Sequence, residues 1–366
     1  MENKPTMLSY IYQEQETLLK ALEQYPQNID AALDKIRIPE NGKILVLATG
    51  SSINAALSAK YYIESKSGVQ IDIEEPYNYL NYCKHRAENQ MVLGVSQSGQ
   101  STSTIAALRI LDESNVKIAV TSIPDSEITE VADSTLDVLS GRERVGYVTV
   151  GFSATVLSLM LFGLRLGVKK GQIDEKTEQQ ELDEFKDIIL NIDQTIEKTK
   201  KFFEQNKEIL QEAKRFMTIA YGSAFGTAKE METKFSETVR VPTSGIDLEA
   251  FMHGPYLEMK ADYRLFFLDT PAKAHVREKA ELLKKYEEKI TSDIFLISVV
   301  KEKADNEKEL VLKQIEDEEK CPLLLITPIQ VLAWYISEAK GNDLRHRIYT
   351  DFSQAVKSKT VVQDYV

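Results

Sequence analysis

The stretch Met91–Leu111, MVLGVSQSGQSTSTIAALRIL, constrains this chain more than any other. It opens on the apolar run MVLGV, which suits a strand covered on both faces, and closes on IAALRIL, whose apolar positions recur at helical spacing. Between them, Ser96 to Thr104 carries six hydroxyl side chains in nine residues and no charge. A strand that passes through a small hydroxyl-rich turn into a helix points unpaired backbone N–H groups at one spot, and the helix dipole adds partial positive charge there. Such a turn suits an anion, a phosphate above all. The same residues also suit an ordinary connection whose first hydroxyl caps the helix.

The pattern recurs along the chain. Lys43–Thr49 (KILVLAT) reads as a buried strand, followed by Gly50-Ser51-Ser52 and the helical INAALSAKYYIES. Gln70–Glu74, Lys117–Ser122 and Leu136–Leu139 read as further strands, and Met7–Leu22 and Asn28–Ile36 as helices ahead of them. Strands alternating with helices predict an α/β fold with a parallel sheet covered on both faces, in which ligands sit beyond the carboxyl ends of the strands. Ser51, Ser52 and the Ser96–Thr104 turn all fall at such ends.

A charged helical stretch, Lys169–Lys214, reads as a pair of helices joining two domains. After it the pattern restarts with the strand Phe216–Tyr221, the turn Gly222-Ser223-Ala224 and the helix FGTAKEMETKF. The step from Gly50 to Ser98 equals the step from Gly222 to Thr270, which stands at the end of LFFLDT. Matching intervals predict two copies of one unit. The expected boundaries are 1–168, a helical linker 169–214, and 215–366. Where the first copy has its Ser-rich turn the second reads Asp-Thr-Pro-Ala-Lys, so a bound phosphate is expected in the first. Lys234–Pro255 reads as an insertion, and the second copy continues through strands at Ile294–Val300 and Leu323–Ile326.

Composition narrows the partners. A net charge of −12 argues against nucleic acid, whose phosphates require basic patches. Cys83 and Cys321 stand far apart without CxxC spacing, which points to a reducing compartment. The four histidines form no metal-ligand spacing, so neither metal nor cofactor is expected. The N-terminus has no apolar signal-peptide core, and the expected location is the cytoplasm. Val145–Leu164 is 20 uncharged residues, enough to span a membrane, but its Ser, Thr and Gly content and hydrophilic surroundings read as a buried helix and no membrane partner. There is no GxxxxGK[ST], and no GxGxxG follows the first strand, so a single phosphomonoester fits better than a nucleotide.

Two further residues draw attention in the second copy. Moving a proton between adjacent sugar carbons requires a base near its working pKa, and opening the ring requires a second acid/base. Glu237 on the predicted helix and His253 in the turn His-Gly-Pro are the residue types that serve. Taken alone, each is an ordinary surface or structural residue.

Together, GSS…SQSGQS, the Lys234/Glu237 helix, the HGP turn and the final PIQVLAWYISEAKG resemble the double sugar-isomerase (SIS) domain family over nearly the whole chain. The nearest relatives by motif are the isomerase half of glutamine–fructose-6-phosphate aminotransferase and the fructosamine-6-phosphate deglycases. The resemblance implies two SIS domains, each a parallel sheet flanked by helices in three αβα layers. It implies that Ser51, Ser52, Ser96, Gln97, Ser98 and Ser101 hold the phosphate and that Tyr147 and Thr149 close the sugar pocket. Glu237 matches the C1/C2 proton shuttle, and Lys234 a helix lysine. His253 matches the ring-opening histidine, which in relatives reaches a neighbouring subunit's site, so a homodimer with shared sites is expected. The relatives' tail ends in a Schiff-base lysine. Lys357 is its best match here and Lys359 the next, with a mobile basic tail as the other reading. No catalytic Cys opens the chain, the first being Cys83, so no glutaminase is expected. The expected activity is a deglycase or deaminating isomerase on an amino-sugar or fructosamine 6-phosphate. An aldose–ketose isomerase without an amine, and a non-catalytic sugar-phosphate sensor, are the alternatives.

Overall fold

Apolar runs bounded by glycine and hydroxyl turns become the strands of two parallel sheets in the computed structural model, which describes residues 4–38, 42–83, 85 and 87–365. The chain divides into two compact units. The first is Glu16–Lys186 with the stretch from Arg347 onward; the second is Thr6–Gln15 with Asp187–His346.

The first unit holds β1 (Lys43–Ala48), β2 (Gln70–Glu74), β3 (Met91–Val95), β4 (Val116–Thr121) and β5 (Ser134–Asp137). They pair in the order β2-β1-β3-β4-β5, every pair parallel. All five residues of β3 are buried, as a strand covered on both faces requires. On one face Leu45, Leu47, Val92 and Ala119 pack with Tyr79, Ile105, Leu108 and Ile128. Each large apolar side chain buried in this way contributes roughly 1.5–3 kcal/mol. The helices Ser51–Ser67 and Val150–Lys169 pack against each other in the same unit.

The second unit holds β6 (Arg215–Ala220), β7 (Thr243–Asp247), β8 (Tyr263–Asp269), β9 (Ile294–Ser298) and β10 (Glu309–Val311). Their order, β10-β9-β8-β6-β7, is the first unit's order with each strand replaced by its counterpart, again all parallel. The interval from Gly50 to Gly222 is repeated between the starts of the long apolar helices, Val150–Lys169 and Pro322–Ala339. The core of the second unit joins Met217, Ile219, Leu265 and Phe267 to Leu248, Phe251 and Leu283. Both long helices have the length and composition to cross a membrane, but 94% and 89% of their apolar windows are buried inside the fold. They are core helices.

The structure departs from the sequence reading at five places. Leu323–Ile326 is helical, not a strand: Pro322 opens a helix whose apolar character runs on for 18 residues, far beyond a strand's length. Lys234–Pro255 is not an insertion, because it contains β7, the counterpart of β2. Met7–Leu22 is two helices, Met7–Ile11 and Glu14–Glu23. The boundary expected near 168 and 214 falls between Lys186 and Asp187, inside the helix Glu175–Ile189. The tail, assigned to the second domain by its position, belongs to the first unit because its backbone pairs with the hydroxyl turn there.

Candidate functional site

The register Ala48↔Val95 sets the Gly50-Ser51 turn beside Ser96 and Gln97. Because β1 lies between β2 and β3, chain connections leave its end in opposite directions, and a crevice opens at this switch point. Ser51 and Ser52 form the first turn of the helix Ser51–Ser67, behind Gly50 with its φ of 58°.

The hydroxyl turn is built internally. Ser96 Oγ accepts from the Ser101 N–H at 3.3 Å, and Thr104 Oγ1 donates to Ser101 Oγ at 3.0 Å. The Gln97 carbonyl accepts from the Ser122 N–H and from Thr121 Oγ1. Gly99 has a φ of 66°, and a Cβ on it would lie 1.7 Å from Ser126 Oγ. Ser101 is the N-cap of the helix Thr102–Arg109, yet its side chain makes no cap bond. The hydroxyls therefore do more than cap a helix.

Glu143 joins this site without any signal in the sequence. An acid between two arginines reads as surface charge, but Glu143 is buried at 5% exposure. Its carboxylate accepts from the N–H and the Oγ1 of Thr149 and from the Gly151 N–H, filling the N-terminus of the helix Val150–Lys169. Thr149 is thereby fixed by Glu143, with Tyr147 half-buried two residues before it. Gln97, Ser98, Gln100, Arg142 and Glu143 line a cavity of about 70 Å³ with Val361–Tyr365 of the tail. That is well below the roughly 300–1,000 Å³ of a typical small-molecule pocket.

The tail is not a mobile basic segment. Thr102 N–H donates to the Ser358 carbonyl and Thr360 N–H to the Gln100 carbonyl, making an antiparallel bridge between Ser101 and Lys359. Lys359 Nζ donates to Ser98 Oγ at 2.9 Å, and burial lowers its pKa from the ordinary lysine value. Arg144 pairs with Asp364 at 3.6 Å. Lys357, the lysine favoured from the sequence, is exposed at a φ of 54°. The structure puts Lys359, not Lys357, on the hydroxyl turn: two residues along an extended strand return a side chain to the same face, and only one of these lysines lies in the paired segment.

In the second unit, Lys234 and Glu237 share the helix Ala224–Thr238. The Lys234 ammonium is buried and lies 3.1 Å from Glu237 Oε2 and 3.4 Å from Glu230 Oε1, while Glu237 reaches the surface. His253 does sit in a turn, ahead of a 3-10 helix at Pro255–Glu258. Its exposed ring pairs with Glu249 at 3.1 Å, so the structure does not join it to Glu237 or Lys234 within the unit.

At the second copy's switch point, Ser223 Oγ donates to the Glu318 carbonyl at 2.6 Å, and Thr270 Oγ1 donates to Glu318 Oε1 at 3.2 Å. Burial raises the Glu318 carboxyl above its ordinary value.

These features define a duplicated α/β protein with a hydroxyl-lined crevice at the strand ends of its first copy. Residues 38–165, within the first unit, match the SIS domain. It is 24% identical over 364 residues to the glutamine–fructose-6-phosphate aminotransferase of Nostoc sp. (strain PCC 9229), covering 93% of this chain and 57% of that one. The chain thus spans about half the length of the curated relatives it matches. Among solved structures, it resembles a protein from Clostridium difficile 630 proposed to be a phosphosugar isomerase, with a TM-score of 0.87, 25% identity, and 97% and 99% of the two chains covered. It also shares its fold with glucosamine-6-phosphate deaminase from Thermotoga maritima, with a TM-score of 0.74, 20% identity, and 92% and 96% covered.

Proposed function

We propose that this chain is a cytoplasmic sugar-phosphate enzyme that acts on an amino-sugar 6-phosphate or a fructosamine 6-phosphate. The observation that carries the reading is the uncharged hydroxyl turn Ser96–Ser101 beside Ser51 and Ser52 at the β1/β3 switch point, a place suited to a phosphate. Kinship with an aminotransferase that handles fructose 6-phosphate and with a glucosamine-6-phosphate deaminase supports an amine on the sugar.

In this reading Ser51, Ser52, Ser96, Gln97, Ser98 and Ser101 hold the phosphate, and Tyr147 and Thr149 face the sugar. The Glu237 carboxylate takes a proton from one of C1 and C2 and returns it to the other, so that the C=O or C=N passes through a C1=C2 enediol or enolamine to the neighbouring carbon. Water then adds to the resulting C=N and the amine departs, leaving the C=O of the sugar phosphate. The Lys234 ammonium, 3.1 Å away, positions that carboxylate. His253 opens the ring. Its exposure suits a histidine that serves a partner's site in a homodimer.

The test is turnover of glucosamine 6-phosphate, fructosamine 6-phosphates and fructose 6-phosphate, scored for released amine and for sugar phosphate. Amine release with matching sugar-phosphate formation is expected. Interconversion of fructose 6-phosphate and glucose 6-phosphate with no amine released from any substrate would make it a simple isomerase. Binding without turnover across the panel would make it a sensor. For His253, mixed dimers of Ser98→Ala and His253→Ala subunits should regain one working site. A verified mixed dimer with no recovery would place the histidine in its own subunit's site.

A further inference from the structure

Around the hydroxyl turn the nearest charged side chains leave an imbalance. Of the carboxylates lining the cavity, Glu143 is committed to the Thr149 and Gly151 N–H groups and Asp364 to Arg144. Arg142 lines the same cavity and is exposed. Lys359 Nζ stands on Ser98 Oγ, half-buried, and pairs with no carboxylate among the described residues. A half-buried ammonium is costly unless an opposite charge meets it. Its position is no accident of a long side chain, because the backbone of 358–360 pairs with the 100–102 turn on both sides of it.

We propose that the tail supplies the cation of the phosphate site: Lys359 binds the substrate's phosphate as an ammonium beside Ser98, and does not act as a nucleophile. The inference rests on the phosphate reading above and deepens it, by making the site a composite of the hydroxyl turn and a strand that follows the whole second unit in sequence. A hydroxyl turn alone offers neutral hydrogen bonds, whereas a phosphate dianion gains far more from a charge-assisted one in a partly dry site. The cavity of about 70 Å³ suits the phosphate end of a ligand, with the sugar extending outward. Burial lowers the Lys359 pKa and so disfavours the ammonium, a shift that a phosphate dianion beside it would reverse.

Calorimetric titration with inorganic phosphate, glucose 6-phosphate and glucose tests this on wild type, Lys359→Met and Lys359→Arg. The expected result is a loss of roughly ten- to a hundredfold in phosphate and glucose 6-phosphate affinity in Lys359→Met, the range of a hydrogen bond between charged groups. Lys359→Arg, which keeps the charge but forms no Schiff base, should retain most of that affinity, and glucose should bind all three proteins equally weakly. Wild-type affinity in Lys359→Met would overturn the role of the lysine while leaving the hydroxyl site standing. Tighter binding in Lys359→Met would make the tail an obstruction and overturn it equally. Failure of wild type to bind either phosphate compound would remove the phosphate reading itself, and the proposal with it. Borohydride trapping of a sugar phosphate on Lys359 would show a nucleophile and overturn the assignment.

Discussion

The two copies of the repeat meet the same electrostatic problem and answer it differently. At the β1/β3 ends the first copy gathers Gly50, Ser51 and the Ser96–Ser101 turn, and the charge set on the turn's Ser98 hydroxyl is the ammonium of Lys359, with the Glu143 carboxylate committed to Thr149 and Gly151. At the β6/β8 ends the second copy gathers Gly222, Ser223 and Thr270, and the chain brings a carboxylate, Glu318. A Cβ on Gly222 would lie 2.7 Å from Glu318 Oε1, so the acid reaches right into the turn. Strand ends and helix starts favour negative charge in both copies. The second copy sets Glu318 on its turn hydroxyls, while in the proposed reading the first copy leaves that place for a ligand's phosphate. Identical topology thus carries opposite charges at the two turns.

The largest contrast expected between the copies is catalytic. Glu237→Gln, in the second unit, should lower turnover by roughly 10²–10⁴ while leaving sugar-phosphate affinity in place, since the proposed phosphate contacts lie in the first unit. Full turnover in the Gln variant, measured beside calorimetric binding, would break the division of labour. Next come the two turn glycines. Gly99→Ala combines a φ of 66° with a Cβ 1.7 Å from Ser126 Oγ and should cost about 2–4 kcal/mol in denaturant unfolding. Gly222→Ala, at a φ of 55°, meets only the movable end of Glu318 and should cost about 1 kcal/mol. Equal losses would mean that the turns are equally rigid.

Smaller still is the hydroxyl effect on binding. Ser98→Ala should weaken glucose 6-phosphate binding by about 1–2 kcal/mol, whereas Thr270→Val, at the counterpart position, should not change it. A loss in Thr270→Val would show a ligand at the second copy. The smallest effect concerns Glu318 and pH. Its carboxyl titrates higher in the folded chain than the usual 4.5, so its protonated form is favoured there and stability is lost as pH rises from 4.5 through the raised value. Glu318→Gln should match wild type in acid and exceed it by a few tenths of a kcal/mol at neutral pH, a small effect because solvent reaches the carboxyl. Chemical unfolding at pH 4 and pH 7.5 would show whether the gap opens with pH.

How much of this could be read from residues follows from what each kind of signal is made of. Buried strands advertise themselves as apolar runs, which is why β1, β3, β6 and β8 stand out. β7 (TSGID) and β10, only three residues long, carry no such run and leave no mark in the sequence. Leu323–Ile326 misleads in the opposite way, since four apolar residues look alike in a strand and in a buried helix. Spacing reveals the duplication because the landmarks of both copies, from the Gly50 and Gly222 turns to the long apolar helices, kept one common offset. Glu143 carries no signal of its own, and Lys359 ranks behind Lys357, because the importance of each lies in what faces it. An acid between arginines and a lysine in a basic tail meet their partners only when the chain folds back, and no local pattern encodes that return.

The return has a consequence in time. Ser98 and Lys359 are separated by 261 positions. At a translation rate of about 5–20 residues per second, the hydroxyl turn leaves the ribosome roughly 13–50 s before the lysine that stands on it. The sheet that carries the turn can form early, as an N-terminal unit with its strands in hand. The strand-like piece at 358–360 arrives only after the whole second unit has been made. A nascent chain thus holds an unfinished crevice through most of its synthesis, and the Lys359–Ser98 contact forms only once that piece has emerged.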